Sequence, residues 1–152
     1  PQAVGQGQNI EARESLMLAS YMAGMAFSNA GLGLSHSTAH QIGGKYHIAH
    51  GQCNAIMLPA VMRFNSLVCK KEYAEIGQAM TGRSVDAAQA IGAVEQLIQE
   101  LGLKQSASEF GLNSADIPEL SALAFEDACL TTNPRTTTIA QIQSVYADAF
   151  SN

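Results

Sequence analysis

Basic charge is scarce in this chain: 8 lysines and arginines stand against 13 acidic residues among 152, a formal net charge of -5. A nucleic-acid partner calls for a basic patch or stripe, so the balance argues against that class. No run of about twenty apolar residues occurs, and no basic segment leads into an apolar one at the amino terminus, so neither a membrane span nor an export signal is read. Cysteine is limited to Cys53, Cys69 and Cys129, an odd number at unrelated spacings. That usage fits free thiols in a reducing cytoplasm better than a disulfide framework. The short metal motifs His-Glu-x-x-His and Cys-x-x-Cys are absent, as are internal repeats and low-complexity tracts. Between Glu14 and Glu72 there is no carboxylate at all. An acidic ligand for anything built in that stretch must come from far along the chain or from another chain.

What remains is a 47% hydrophobic chain of the size of one ordinary domain. No segment alternates with the two-residue period of a strand, whereas helical spacing recurs throughout. After a Gly- and Gln-rich start, Asn9 caps a helix that reads as largely buried through Leu16, Met17, Met25 and Phe27, ending around Asn29 to Gly33. A second helix holds His36 and His40. A third runs from about Gly51 to Phe64, with Pro59 expected to kink it. Two more are read near Ser66 to Met80 and about Val85 to Leu101, the latter capped by Ser84 and stopped by Gly102. Leu103 to Asn113 is a polar connection. Asn113 or Ser114 then caps a helix with Ile117, Leu120, Leu123, Ala124 and Ala128 on one stripe, and Thr138 caps a last helix carrying Ile139, Ile142, Val145, Tyr146 and Phe150. The fold class is all-α, an irregular bundle of about six to eight helices.

All four histidines, His36, His40, His47 and His50, fall between Leu34 and Pro59. One unbroken helix across the 14 steps from His36 to His50 would hold the rings about 21 Å apart, too far for a shared ion. The chain must turn, and Gly43-Gly44 is the expected break. Helix, short loop, helix then gathers imidazoles at one point, the donor set of a mononuclear metal site. Spacing alone also allows a helix face at His36 and His40 and a capping role for His50. By geometry His40 is a third ligand, since i, i+4 side chains share a face. Gly31-Leu32-Gly33 is no phosphate loop, because no strand precedes it and His36 stands where a dinucleotide fingerprint needs glycine; its role is close packing.

The segments Gly24-Met25-Ala26-Phe27-Ser28-Asn29-Ala30-Gly31-Leu32-Gly33, His36-Ser37-Thr38-Ala39-His40-Gln41-Ile42-Gly43-Gly44 and His50-Gly51-Gln52-Cys53-Asn54-Ala55-Ile56-Met57-Leu58-Pro59 strongly resemble the iron-containing (group III) alcohol dehydrogenases. The resemblance is to their carboxy-terminal helical domain, near the lactaldehyde reductase and propanediol dehydrogenase branch, and it extends to Asn133-Pro134-Arg135. It implies the C-terminal domain of a dehydroquinate synthase-like fold, and a single helical metal-binding domain over residues 1–152. The nucleotide-binding domain of such enzymes, and the first helix of their helical domain with two further metal ligands, are expected to lie outside this sequence. A first residue of Pro, not Met, is in keeping with a truncated or processed chain.

By the same resemblance His36 and His50 are metal ligands, and His40 relays the alcohol proton without ligating. The metal is Fe2+, with Zn2+ the alternative, and NAD(P) binds through the absent domain. Phe27 and Cys129 match residues of the substrate pocket; plain core packing is the other reading of each. His47 is a loop histidine with no assigned role, and Asn133-Pro134-Arg135 a structural turn and cap. Ala49 stands where relatives often have Pro. The implied reaction is hydride transfer between a small alcohol or aldehyde and nicotinamide, by a cytoplasmic homo-oligomer, with this fragment inactive alone. A stand-alone helical assembly module pairing through its uncovered apolar face is the alternative. A metal-dependent hydrolase is disfavoured by the lack of a nearby carboxylate base.

Overall fold

In the computed structural model, which describes residues 1–103 and 107–151, the chain is helical throughout its regular parts. The α-helices are α1 (Gln2–Gly5), α2 (Ile10–Ala30), α3 (Gly33–Tyr46), α4 (His50–Asn65), α5 (Lys70–Thr81), α6 (Ala87–Glu100), α7 (Ile117–Glu126) and α8 (Ile139–Phe150). No strand occurs among the described residues. Local signals explain several boundaries. The Asn9 side chain accepts from the Ala12 N–H, and Thr138 and Gln141 form a reciprocal capping box at α8.

The core lies between α3, α4, α7 and α8. Leu34, Ala39 and Ile42 of α3 meet Cys53, Met57 and Val61 of α4, with Leu120 and Ala124 of α7 and Ile142 and Tyr146 of α8 closing the cluster. Each helix contributes residues about one turn apart, with the buried Thr38 between Leu34 and Ile42 of α3, so one stripe of each is removed from water. Tyr146 is fully buried, and its hydroxyl is satisfied by donating to the Thr38 carbonyl at 2.8 Å. A smaller cluster of Met62, Ile91 and Val94 joins α4 to α6. There α5 and α6 approach closely: a Cβ on Gly77 would come within 2.4 Å of the Val85 side chain and 2.7 Å of that of Ala90.

Several expectations are corrected. The chain does not turn at Gly43-Gly44; α3 runs through both and ends at His47, which takes the left-handed conformation, φ 56°. Ile42 and the fully buried Cys53 beside Gly43 stabilise that last turn by packing, and glycine merely permits it. The cap of α6 is Asp86, not Ser84, because Asp86 can pair reciprocally with Gln89. The fifth helix begins at Lys70, not Ser66, since Ser66 still belongs to the end of α4. The seventh ends at Glu126; Ala128 lies in a following 3-10 segment, Ala128–Thr132, and Leu123 and Ile139 face solvent. Asn113 caps a short 3-10 turn, Ser114–Asp116, that leads into α7. The largest difference is α2, expected to be largely buried: none of its residues is buried. Within α4 the helix continues through Pro59. Of the polar connection read over Leu103 to Asn113, residues 104–106 lie outside the described residues.

The start of α3 is built from afar. Gly31 and Gly33 have φ of 82° and 61°, and a Cβ on Gly31 would fall 2.3 Å from Thr132 Oγ1. Through this close approach the Gly33 N–H donates to Thr132 Oγ1 at 3.1 Å and the Leu34 N–H to Asn133 Oδ1 at 3.2 Å. Two otherwise orphaned donors of the first turn are thereby satisfied. Asn133 is itself held by reciprocal bonds with Asn65 and by donating to the Arg135 carbonyl. Arg135 donates to the Phe64 carbonyl and stacks on the Phe64 ring, 3.8 Å from its centroid. The Asn133-Pro134-Arg135 segment is thus a structural turn and cap.

Candidate metal centre

One turn separates His36 from His40 on α3, and His50 is the first residue of α4, so the His47 turn returns the third ring to the first two. Ring centroids lie 5.1 Å apart for His36 and His50, 5.5 Å for His40 and His50, and 5.9 Å for His36 and His40. His47 forms the turn and is exposed. The convergence rests on the α3 and α4 packing, since Leu34, Ile42, Cys53 and Met57 sit on the opposite faces of the same turns.

The electrostatics of the cluster favour a neutral His36. Burial lowers the His36 pKa, and the neighbouring His50 and His40 lower it further, against the Leu32 carbonyl and Asp127, which act the other way. Neutral imidazole is the ligating form. Asn54 Nδ2 donates to His50 Nε2 at 3.0 Å, a bond that a cation at that nitrogen would displace, while Ser35 Oγ donates to Asn54 Oδ1 at 3.3 Å.

A carboxylate does reach the cluster. His40 Nδ1 lies 2.9 Å from Asp127 Oδ2, 87 residues along the chain. Sequence reasoning missed Asp127, and the hydrolase reading was disfavoured for want of such a group. The available signal was its place two residues before Cys129, in N-cap position for a helical turn: Asp127 Oδ1 accepts from the Cys129 N–H at 2.8 Å. One ligand atom from each of His40, Asp127 and Cys129 falls within 4.8 Å of the others. Burial pushes the Asp127 carboxyl up, but the His40 and Cys129 donors outweigh it and hold it below the ordinary carboxylate range. The Cys129 thiol is pushed up, first by burial and then by Asp127, which keeps it protonated.

Phe27, near the end of α2, sits 6.5 Å from His36 between ring centroids and is 46% exposed. It is therefore not core here, and with Cys129 it flanks the histidine cluster. Chemically the cluster offers imidazoles to a divalent cation, one imidazole paired with a carboxylate, and an apolar wall. Other cavities lie elsewhere: one of about 340 Å³ between α4, α6 and α8 is lined by Ile56, Arg63, Glu95 and Gln99 and includes none of the histidines. No helix among the described residues is long and apolar enough to cross a membrane.

Over residues 1–150 the sequence matches the Fe-containing alcohol dehydrogenase family, C-terminal. It is 48% identical over 149 residues to the probable alcohol dehydrogenase EutG of Escherichia coli K12, covering 98% of this chain and 38% of that protein. It is 41% identical over 155 residues to the NAD-dependent methanol dehydrogenase of Bacillus methanolicus, covering 98% and 41%. Among solved structures, 1,3-propanediol oxidoreductase superposes with a TM-score of 0.95 at 36% identity, covering 98% of this chain and 41% of that one. The chain spans about two fifths of the length of these relatives.

Proposed function

This chain belongs to the Fe-containing alcohol dehydrogenase family, matching its C-terminal part, and from that membership we propose that it is the metal-binding portion of an enzyme moving hydride between a small primary alcohol or aldehyde and NAD(P). The convergence of three imidazoles carries the reading. His36 and His50 would hold divalent iron, or zinc in its place, with the remaining ligands and the nucleotide site supplied outside these 152 residues. The donor types fit: the imidazoles converge, and burial with the neighbouring rings lowers the His36 pKa, which favours its neutral, ligating form. A bound divalent ion supplies positive charge that favours loss of the alcohol's hydroxyl proton. His40 takes that proton and passes it to water, while Phe27 and the uncharged Cys129 wall the substrate. NAD dependence is a property named for the methanol dehydrogenase relative and is proposed here by that kinship.

Cobalt titration of the chain tests the ligand assignment. His36→Ala or His50→Ala is expected to weaken Co2+ binding at least about tenfold, as outright loss of a ligand should, and His40→Ala to leave it within about threefold. Equal losses in all three variants would make His40 a ligand and end its relay role. For the reaction, these residues are joined to the remaining portion of 1,3-propanediol oxidoreductase. His40→Ala should then lower kcat by roughly a hundredfold or more, the usual contribution of a general base. Robust alcohol oxidation by the 152 residues alone would overturn the division of labour.

The apolar exposed face of α2, with Leu16, Met17, Tyr21 and Met22 more than half exposed, favours a second reading, a non-catalytic assembly module that pairs with a second copy. A clean monomer in sedimentation at high concentration would count against it. The cytoplasmic, homo-oligomeric state expected of the full enzyme belongs to the same proposal.

A further inference from the structure

Among the described residues Asp127 is the carboxylate in contact with the histidine cluster, and both of its oxygens are engaged. Oδ1 accepts from the Cys129 N–H at 2.8 Å. Oδ2 accepts from Gln41 Nε2 at 3.4 Å and faces His40 Nδ1 at 2.9 Å. The group is 16% exposed and lies where α7 gives way to Ala128–Thr132, so its backbone is held on both sides. An ionised carboxylate only accepts hydrogen bonds. A neutral imidazole facing it must therefore carry its proton on Nδ1, which leaves Nε2, on the far edge of the ring, as the lone-pair nitrogen.

We propose that Asp127 is a positioning residue that holds His40 in the Nδ1–H tautomer, making Nε2 the proton acceptor of the reaction. The inference rests on the relay role given to His40 above. When the alcohol hydroxyl gives its proton to Nε2 and hydride passes to the nicotinamide, the imidazolium that forms keeps its Nδ1–H on Asp127, which stabilises the new charge. Release of the Nε2 proton to water then restores the starting tautomer. Gln41, the neighbour of His40 on α3, stops the carboxylate from rotating away. A simple capping role for Asp127 would need only Oδ1, and nothing in it would select a tautomer.

Asp127→Asn separates the two roles. Asparagine caps helical turns as well as aspartate does, and its single carbonyl is claimed by the Cys129 N–H. Its amide NH2 then faces His40, and the ring must accept there and carry its proton on Nε2. The measurement is a long-range 15N–1H correlation of the His40 ring nitrogens in the metal-free 152-residue chain, at a pH about two units above the ordinary imidazole value. The wild type is expected to show a protonated Nδ1 and an unprotonated Nε2, with the two exchanged in Asp127→Asn. Asp127→Ser, which keeps a capping oxygen but faces the ring with no carboxylate, should give a mixture. A wild-type ring protonated on Nε2, or an unchanged tautomer in both variants, would overturn the proposal. Because no metal or substrate is present, failure here is distinguishable from failure of the ligand assignment, which the cobalt titration reads.

Discussion

Helices α2 and α3 follow one another in the chain and are both rich in small and apolar residues, yet they end in opposite environments. All of α2 is accessible, with Met17 74% and Leu18 58% exposed. In α3, Leu34, Ser37, Thr38, Ala39 and Ile42 are buried almost completely. Helicity in α2 comes from a side-chain cap at Asn9 and a long permissive sequence. Burial in α3 comes from α4, α7 and Ala128–Thr132, which pack against it. The contrast shows that a helical pattern reports an apolar surface without reporting what covers it.

The sharpest way to break this comparison is to truncate one side chain in each helix. Leu34→Ala removes a fully buried group of α3 and is expected to cost about 2–5 kcal/mol in urea unfolding. Met17→Ala in α2 should stay within about 0.5 kcal/mol. If the two cost the same in the chain, α2 is covered in solution, and the assembly reading gains what the monomer picture loses.

A smaller effect is expected at the node that starts α3. Asn133→Ala strips the Leu34 N–H of its acceptor and removes both bonds that the buried Asn65 side chain makes to Asn133, a loss of roughly 1–3 kcal/mol. Its unfolding midpoint should fall with little change in total helicity, since α3 is anchored there and not nucleated. Loss of most of the helical circular dichroism would show that the node does more than cap.

The smallest concerns acid. The Asp127 carboxyl lies below its unfolded value of about 3.9, so its contribution to stability is complete above that pH. It is lost as pH falls through the lower, folded value. Wild type and Asp127→Asn should therefore converge in urea midpoint as pH drops below about 4. A gap that widens on acidification would mean that the folded carboxyl is raised instead.

Much of the architecture was readable in advance. The caps at Asn9 and Thr138 and the all-α class follow from short-range chemistry, and all are present among the described residues. The gathering of His36, His40 and His50 was readable as a necessity, because a straight helix cannot unite them. The place of the turn was not. Gly43-Gly44 looked like the break, but packing of Ile42 and Cys53 carries the helix past both, and His47 takes the left-handed φ instead.

By itself, then, the sequence determined the long helical segments though not all their bounds, where four imidazoles crowd into 26 residues from Leu34 to Pro59, and which family the chain belongs to. These depend on residue identity and spacing over one or two turns. Only the tertiary structure decided that Asp127 meets His40, that Thr132 and Asn133 complete the first turn of α3 from 99 residues away, and that α2 stays uncovered. Such contacts depend on how α3, α7 and the chain after it pack together, and no local period or motif records the distance between residues so far apart in the chain.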